Sequence, residues 1–289
     1  MRDDFCVFIL SHGRASNVKT YDLWRRRGYT GKMYVVIDNE DKTSDEYYKR
    51  FGNEVLMFDK SQVASYTDQY DNFKDRRAIL WARNACWELS KQVGCRFFME
   101  LDDDYHGCMY RRIGKTEPDG VPVYRGWSIH SLDDVLEAMV SFVETTPAST
   151  LCMSQGGDHF GGASGDQTVK LTRKAMNSFI CDNTKPFLWS GRINEDVNTY
   201  VGLGSIGHLF YTYMGIQMDQ SSTQTQKGGM TELYLDSGTY VKSFYSVIAN
   251  PSCVTIRTMG RINMRLHHSI RWDHAVPKVL NESLRKSDR

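Results

Sequence analysis

The stretch Arg96-Phe97-Phe98-Met99-Glu100-Leu101-Asp102-Asp103-Asp104-Tyr105 decides how the rest of the chain is read. Its short apolar run predicts a strand buried on both faces. Three aspartates follow at once, at the strand's C-terminal edge, where open α/β sheets gather their ligands. Adjacent carboxylates repel one another unless a cation or water offsets their charge. Asp102 and Asp104 are two apart, so on an extended backbone they point to the same side. That spacing suits a hard divalent cation that also holds a phosphate. The competing reading is a solvated acidic turn; the position directly after a buried strand favours the metal site.

Outward from this stretch the chain alternates strands and helices. A helix over 75–93 precedes it, with Ala78, Trp81, Ala85, Leu89 and Val93 as its apolar stripe and Arg76 and Arg83 on another face. Further back, Phe5-Cys6-Val7-Phe8-Ile9-Leu10 reads as a strand buried on both faces and ends in Ser11-His12-Gly13-Arg14. A helix over 17–27 is stopped by Gly28, a strand over 33–37 ends in Asp38-Asn39-Glu40-Asp41, a helix covers 45–51 and a strand 54–58. This order predicts an α/β fold with a parallel sheet.

Downstream, residues 107–130 read as an irregular insert, and Ser131-Leu132-Asp133-Asp134 opens a helix that runs to 145. A strand over 149–154 leads into the glycine-rich loop 155–162, and a short strand covers 179–181. Asn194 caps a helix carrying Glu195 and Asp196 in its first turn. A strand over 206–214, a mobile polar loop over 218–229, a helix over 238–249 and a strand over 253–257 follow. The tail from Met259 holds His267, His268 and Lys278. No repeat or linker divides the 289 residues, so one domain is expected.

Composition sets limits. With 40% hydrophobic and 25% charged residues the chain is an ordinary globular one, and a net charge of +1 gives no global field for nucleic acid or acidic membranes. The seven cysteines are odd in number and none forms C-x-x-C, against a disulfide framework or zinc site. Met1-Arg2-Asp3-Asp4 leads straight into a strand without a signal peptide, and no 18-residue apolar run occurs. The expectation is a cytoplasmic protein with no membrane contact. No P-loop lysine follows the glycine loop, no G-x-G-x-x-G follows the first strand, and no G-x-S-x-G elbow appears, which weighs against a P-loop ATPase, a Rossmann dehydrogenase and an α/β hydrolase.

Three polar strand ends, Ser11 to Arg14, Asp38 to Asp41 and Asp102 to Asp104, should meet in one crevice. There Arg14 and the amides near Gly13 would contact phosphate or base, and Asp38 and Glu40 would accept from base or ribose. Glu195 and Asp196 read either as helix-dipole partners or as a general base for an acceptor hydroxyl. The tail with His267 and His268 reads either as a solvated terminal helix or as a segment folding back with a third metal ligand.

The pattern resembles GT-A glycosyltransferases and, more closely, the phage TET/JBP-associated glycosyltransferases. The resemblance is carried by Ile9-Leu10-Ser11-His12-Gly13-Arg14, Tyr34-Val35-Val36-Ile37-Asp38-Asn39-Glu40-Asp41, Ala82-Arg83-Asn84 and Leu101-Asp102-Asp103-Asp104-Tyr105, and is extended by Asn194-Glu195-Asp196 and the His267-His268 tail. It implies a GT-A-like (Rossmann-like) mixed, mainly parallel central sheet flanked by helices. Within the single domain, 1–106 would be the nucleotide-binding half, 107–258 the acceptor half and 259–289 a basic tail. The donor would be a UDP-sugar, with Mn²⁺ or Mg²⁺ on Asp102, Asp104 and one of His267 and His268. Ser11, Arg14, Asp38, Glu40, Arg83 and Asn84 would fix the nucleotide, and Asp103 would lie nearer the sugar or ribose. Asp196, or else Glu195, would be the base of an inverting reaction.

The acceptor would be the hydroxyl of 5-hydroxymethylcytosine, or another hydroxymethylated pyrimidine, in double-stranded phage DNA within the host cytoplasm. Arg111, Arg112, Arg125 and the basic tail would meet the DNA, with Trp127 or Trp189 stacking on a flipped base. The alternatives are the same fold with a protein or glycan acceptor, a nucleotidyltransferase, or a non-catalytic nucleotide- or DNA-binding module. The intact carboxylates at 102, 104, 195 and 196 speak against the last.

Overall fold

The computed structural model describes residues 1–74, 76–120, 122–159, 168–220, 230–259 and 264–285. Strands and helices alternate through the first part: β1 (Phe5–Leu10), α1 (Lys19–Arg26), β2 (Lys32–Asp38), α2 (Ser44–Phe51), β3 (Val55–Phe58), α3 (Lys60–Ala64), α4 (Leu80–Gln92) and β4 (Phe97–Asp102). Then come β5 (Tyr105–Thr116), β6 (Pro122–Ser128), α5 (Leu132–Thr145), β7 (Thr150–Gln155), β8 (Val169–Lys170), β9 (Ser178–Asp182) and α6 (Glu195–Ser205). The chain continues through β10 (Phe210–Gln220), α7 (Met230–Ala249), β11 (Val254–Met259), β12 (Arg265–Ile270) and α8 (Trp272–Ala275).

Among the described residues one mixed central sheet runs in the order β3-β2-β1-β4-β9-β7-β10-β5-β6, with β8 on β10. It is parallel from β3 to β4 and again between β7 and β10. The antiparallel β9 lies between β4 and β7. A mixed central sheet flanked by helices is the α/β class that the resemblance implies.

The burial of β1 shows why the apolar runs are continuous. Phe5, Val7 and Ile9 pack on one face with Trp24 of α1 and Leu132 and Leu136 of α5. Cys6, Phe8 and Leu10 pack on the other with Leu80 and Trp81 of α4 and Val197 of α6. A strand covered on both sides needs no polar alternation, and each large apolar side chain buried here contributes about 1.5–3 kcal/mol. All seven cysteines are free and buried in this interior. Gly28 ends α1 as expected: its φ is +84°, and a Cβ there would meet the His130 carbonyl oxygen at 2.5 Å.

Several expectations shift. Residues 107–130 are not irregular; β5 and β6 form a long antiparallel hairpin at the sheet edge, with Arg112 opposite Arg125 and Tyr110 opposite Trp127. Its residues are largely exposed, so no burial pattern marked it. The helix expected over 75–93 begins at Leu80; residues 76–79 are not helical, Asp75 lies outside the described residues, and Arg76 therefore shares no helix face with Arg83. The strand expected over 206–214 is β10, which starts later and runs on through Gln220 into the stretch read as loop; the rest of that stretch lies outside the described residues, as do residues 160–162 of the glycine loop. The helix expected from 238 begins at Met230. The histidine tail forms a strand, β12, paired with β11 in a separate two-stranded sheet packed on α7. Among the described residues no helix is long and apolar enough to cross a membrane.

Candidate active site

The aspartate turn is built by α1 as much as by β4. Thr20 in the first turn of α1 donates its hydroxyl to the Asp102 carbonyl at 2.6 Å and receives the Tyr105 amide at 3.0 Å, while its own amide reaches the Asp103 carbonyl at 3.2 Å. Asp103, expected nearer the sugar or ribose, is turned inward. Ser11 Oγ donates to one of its oxygens at 2.6 Å and Arg14 Nη1 to the other at 2.9 Å. Burial pushes this carboxyl up to about 6 against the opposing pull of Arg14 and the Ser11 bond. Asp102 and Asp104 point together as expected, although β4 ends at Asp102 and residues 103–104 form a turn, so the turn and not strand alternation brings them together. A single nitrogen, Gln220 Nε2, lies 3.0 Å from Asp102 Oδ2 and 2.8 Å from Asp104 Oδ1.

Arg83 joins this turn to α6. Its guanidinium is fully buried and stacked against the rings of Phe179 (4.9 Å) and Trp189 (5.6 Å). Nε donates to Glu195 Oε1 at 3.0 Å, Nη1 faces Glu100 Oε2 at 3.4 Å, and Nη2 reaches Asp102 Oδ1 and Asn177 Oδ1, each at 3.2 Å. Only arginine offers so many donors in one rigid plane. Negative charge is dense here: Glu100, Asp102 and Glu195 share the Arg83 guanidinium, Asp103 pairs with Arg14, and Asp104 lies beside Asp102. Burial lifts Glu100 to about 8, with Arg83 pulling the other way. Asp102 rises to about 7 through burial, opposed by Arg83 and assisted by Asp104 and Glu195. Glu195 is raised by burial despite Arg83.

The donor set around Asp102 and Asp104 is all oxygen and strongly anionic, which fits a hard cation such as Mg²⁺ or Mn²⁺. Among the described residues no three His, Cys, Asp or Glu side chains are grouped to hold a metal. The expected set of Asp102, Asp104 and a histidine is therefore not assembled; Mg²⁺ can be held by one or two carboxylates, with water and substrate phosphate filling the remaining positions.

Glu195 and Asp196 are adjacent but differ in environment. Glu195 is committed to Arg83. Asp196 is only 8% exposed, yet among the described residues no hydrogen bond or ion pair holds its carboxylate. Asn194 occupies the N-cap position of α6, but its side chain does not cap the helix. Its backbone is left-handed (φ 55°) and its amide donates to the Lys242 carbonyl at 2.7 Å and Ser246 Oγ at 3.1 Å, fastening α6 to α7.

The other polar strand ends are held by one another. Asp38 accepts from His12 Nδ1 at 2.7 Å and lies 3.3 Å from Lys60 Nζ. Burial works against its charge, but His12 and Lys60 prevail and keep it below the usual carboxylate range. Asp41 accepts from the Gly13 amide at 2.7 Å. Glu40 is at the surface and pairs with Arg76. Asn84 is buried and clamps Trp189, receiving its amide at 2.8 Å and donating to its carbonyl at 2.9 Å.

A family model described as TET-associated glycosyltransferase matches residues 5–229. The chain belongs to that family. This TET-associated glycosyltransferase carries the aspartate turn, Arg83, Gln220, Glu195 and Asp196 inside the matched span; α7, β11 and β12 lie beyond it. No curated protein matches the chain. Among solved structures, GalNAc-T7 with UDP, GalNAc and Mn²⁺ is a distant likeness, at 10% identity and a TM-score of 0.34 over 75% of this chain. The chain spans 43% of the length of that structure.

The structure does not bring His267 and His268 to the carboxylates. Their rings lie 4.3 Å apart on β12, and both Nε2 atoms sit 3.3 Å from Lys174 Nζ. A lysine ammonium in that position is a poor neighbour for a cation. On the β5–β6 hairpin, Arg112 lies over the Tyr110 ring at 4.7 Å and Trp127 is 44% exposed. Trp189 is fully buried beside Phe179 and Phe187, so it has no face left for a flipped base. Sequence reasoning missed Thr20, Asn177 and Gln220. Thr20 and Asn177 fell outside every polar strand end, and Gln220 fell in a stretch that composition marked as loop.

Proposed function

We propose that this glycosyltransferase moves a sugar from a UDP-sugar to the hydroxyl of 5-hydroxymethylcytosine, or of another hydroxymethylated pyrimidine, in double-stranded DNA. The observation that carries the reading is the Arg83 junction. It joins Asp102, one of a carboxylate pair suited to a donor diphosphate, to Glu195 at the start of the helix that bears Asp196. The association with TET in the family's description supports a hydroxymethylated base as acceptor.

Mn²⁺ or Mg²⁺ held by Asp102 and Asp104 would offset the charge that grows on the departing UDP. Arg83 keeps Asp102 in place, and Asp103 keeps Ser11 and Arg14 in place at the end of β1. Asp38, Glu40 and Asn84 support the loops around the nucleotide. Asp196, with no partner among the described residues, takes the proton of the acceptor hydroxyl if the anomeric centre inverts; if it is retained, this carboxylate serves another purpose. Arg111, Arg112 and Arg125 on the hairpin supply the positive surface for DNA phosphates, and Trp127 offers a ring on which an extruded base can stack.

The test is direct. The protein is incubated with UDP-glucose or UDP-GlcNAc and Mn²⁺, with hydroxymethylcytosine DNA and with unmodified DNA. A sugar-sized mass increase on the modified base alone is expected. Absence of transfer to any hydroxymethylated DNA across a panel of UDP-sugars overturns the proposal.

A further inference from the structure

The two carboxylates proposed to hold the cation share a neighbour that no motif marks. Gln220 is the last residue of β10, at a register shift between Asp219 and Gln220 that sets it opposite Tyr105. Irregularities of this kind re-aim a side chain beside active sites. Here the amide group is delivered between Asp102 and Asp104, at 3.0 and 2.8 Å.

These distances carry a second meaning. Octahedral Mg²⁺ holds its oxygens at about 2.0–2.1 Å, so neighbouring ligands lie roughly 2.9 Å apart. The Gln220 terminal atom therefore stands from both carboxylate oxygens at the edge length of such an octahedron. The position is right for a ligand, and only the element is wrong, because the atom there is a nitrogen that donates. A half-turn about the last torsion of the side chain exchanges nitrogen for oxygen without moving the chain. The turn gives up the two bonds to Asp102 and Asp104, whose charge the cation then offsets, and one further bond. Gln220 Oε1 accepts from Asn177 Nδ2 at 3.4 Å, a long bond. Asn177 is itself anchored to Arg83 through Oδ1 at 3.2 Å.

Resting on the metal-dependent reading above, we propose that Gln220 is the third protein ligand of the divalent cation. Its amide donates to Asp102 and Asp104 when the cation is absent and presents Oε1 when the cation binds. The glutamine thus takes the place that the sequence offered to His267 or His268, which are occupied with Lys174. A neutral oxygen completes the set without adding a further negative charge to an already anionic site.

Mn²⁺ binding to the full chain, with no nucleotide present, is read from the loss of the free-ion electron paramagnetic resonance signal. Thermal melting with and without Mn²⁺ is measured in parallel. Wild type should bind saturably, and Asp102→Asn should lose binding. Gln220→Ala should weaken Mn²⁺ about 10–100-fold, the range seen when groups supporting a metal site are removed. Gln220→Glu should bind at least as tightly as wild type, and should melt lower than wild type without Mn²⁺ because a donor has become a third carboxylate. A Gln220→Ala protein that binds like wild type while Asp102→Asn does not overturns the role of Gln220 and leaves the two-carboxylate site standing. So does a Gln220→Glu protein that loses binding as fully as Gln220→Ala. Wild-type binding by Asp102→Asn, or no saturable binding by wild type, overturns the metal reading itself.

Discussion

Arg83 and Glu195 are 112 residues apart in sequence and are joined by a 3.0 Å bond from Nε to Oε1 inside the protein. The same guanidinium reaches Asp102 at 3.2 Å, so α4, β4 and α6 meet on one side chain. Removing it leaves Glu100, Asp102 and Glu195 without their counter-charge. Loss of one partner of a buried ion pair costs about 3–5 kcal/mol. Arg83→Ala should therefore lower the denaturant midpoint sharply. Arg83→Lys should recover only part of the loss, because one ammonium cannot reach three elements. Equilibrium unfolding measures both; a neutral Arg83→Ala would refute the junction.

The adjacent carboxylates should separate under substitution. Asp196→Asn removes a group with no partner among the described residues and should leave folding and donor binding intact while lowering transfer about 10²–10⁴-fold, the usual contribution of a general base. Glu195→Gln breaks the bond to Arg83 and should appear first as lost stability. Melting curves, UDP binding and turnover distinguish the two. Unimpaired turnover in Asp196→Asn would place the base elsewhere.

Asp103 predicts a different defect. It holds Ser11 and Arg14 and lies turned away from the carboxylate pair, so Asp103→Ala should cost about 1.5–3 kcal/mol, the range for bonds to a charged group. The donor KM should rise more than kcat falls. A large loss of kcat with normal stability and KM would mean that Asp103 touches the reacting atoms.

The His12–Asp38 pair gives the protein a pH signature. The Asp38 bond raises the His12 pKa above 6.5, opposed by partial burial. A raised folded pKa contributes stability that is complete below the unfolded value and lost as pH rises through the folded one. Melting temperature should therefore fall from about pH 6.5 upward in wild type, and less so in His12→Ala. Parallel curves for the two proteins across that window would exclude the pair as the cause.

The hairpin should act on DNA alone. Arg112→Ala and Arg125→Ala should each weaken DNA binding and reduce the salt dependence of log K by about one contact. Metal binding should stay unchanged, and an unaltered salt slope would move the DNA surface elsewhere.

Much of the fold was legible because burial leaves a plain mark. The two-faced strands around Phe8 and Phe98 had to be apolar throughout, and their polar ends had to gather at one edge. The β5–β6 hairpin was not legible, since exposed strands carry no such mark. Within the site, Asp102 and Asp104 announced themselves by charge and spacing, whereas Arg83 entered through the family resemblance alone. Asp103, Asn84 and Asp38 look in sequence like ligand contacts, but the structure commits them to Arg14, Trp189 and His12. Sequence gives the residue type at a strand end; whether its oxygens face inward is decided by neighbours a hundred residues away. Gln220 had no signature at all, because its position depends on a register shift.

The buried thiols have a practical consequence. Cys6 lies on β1, Cys86 on α4, Cys108 on β5, Cys152 on β7 and Cys181 on β9, so sulfur is distributed across nearly every layer of the sheet. None is open to a reagent in the folded chain. The rate at which each becomes alkylated is then a clock for the opening of its own strand or helix. A timed labelling experiment on the unaltered protein would map, residue by residue, which layers part first and which hold until the whole molecule comes undone.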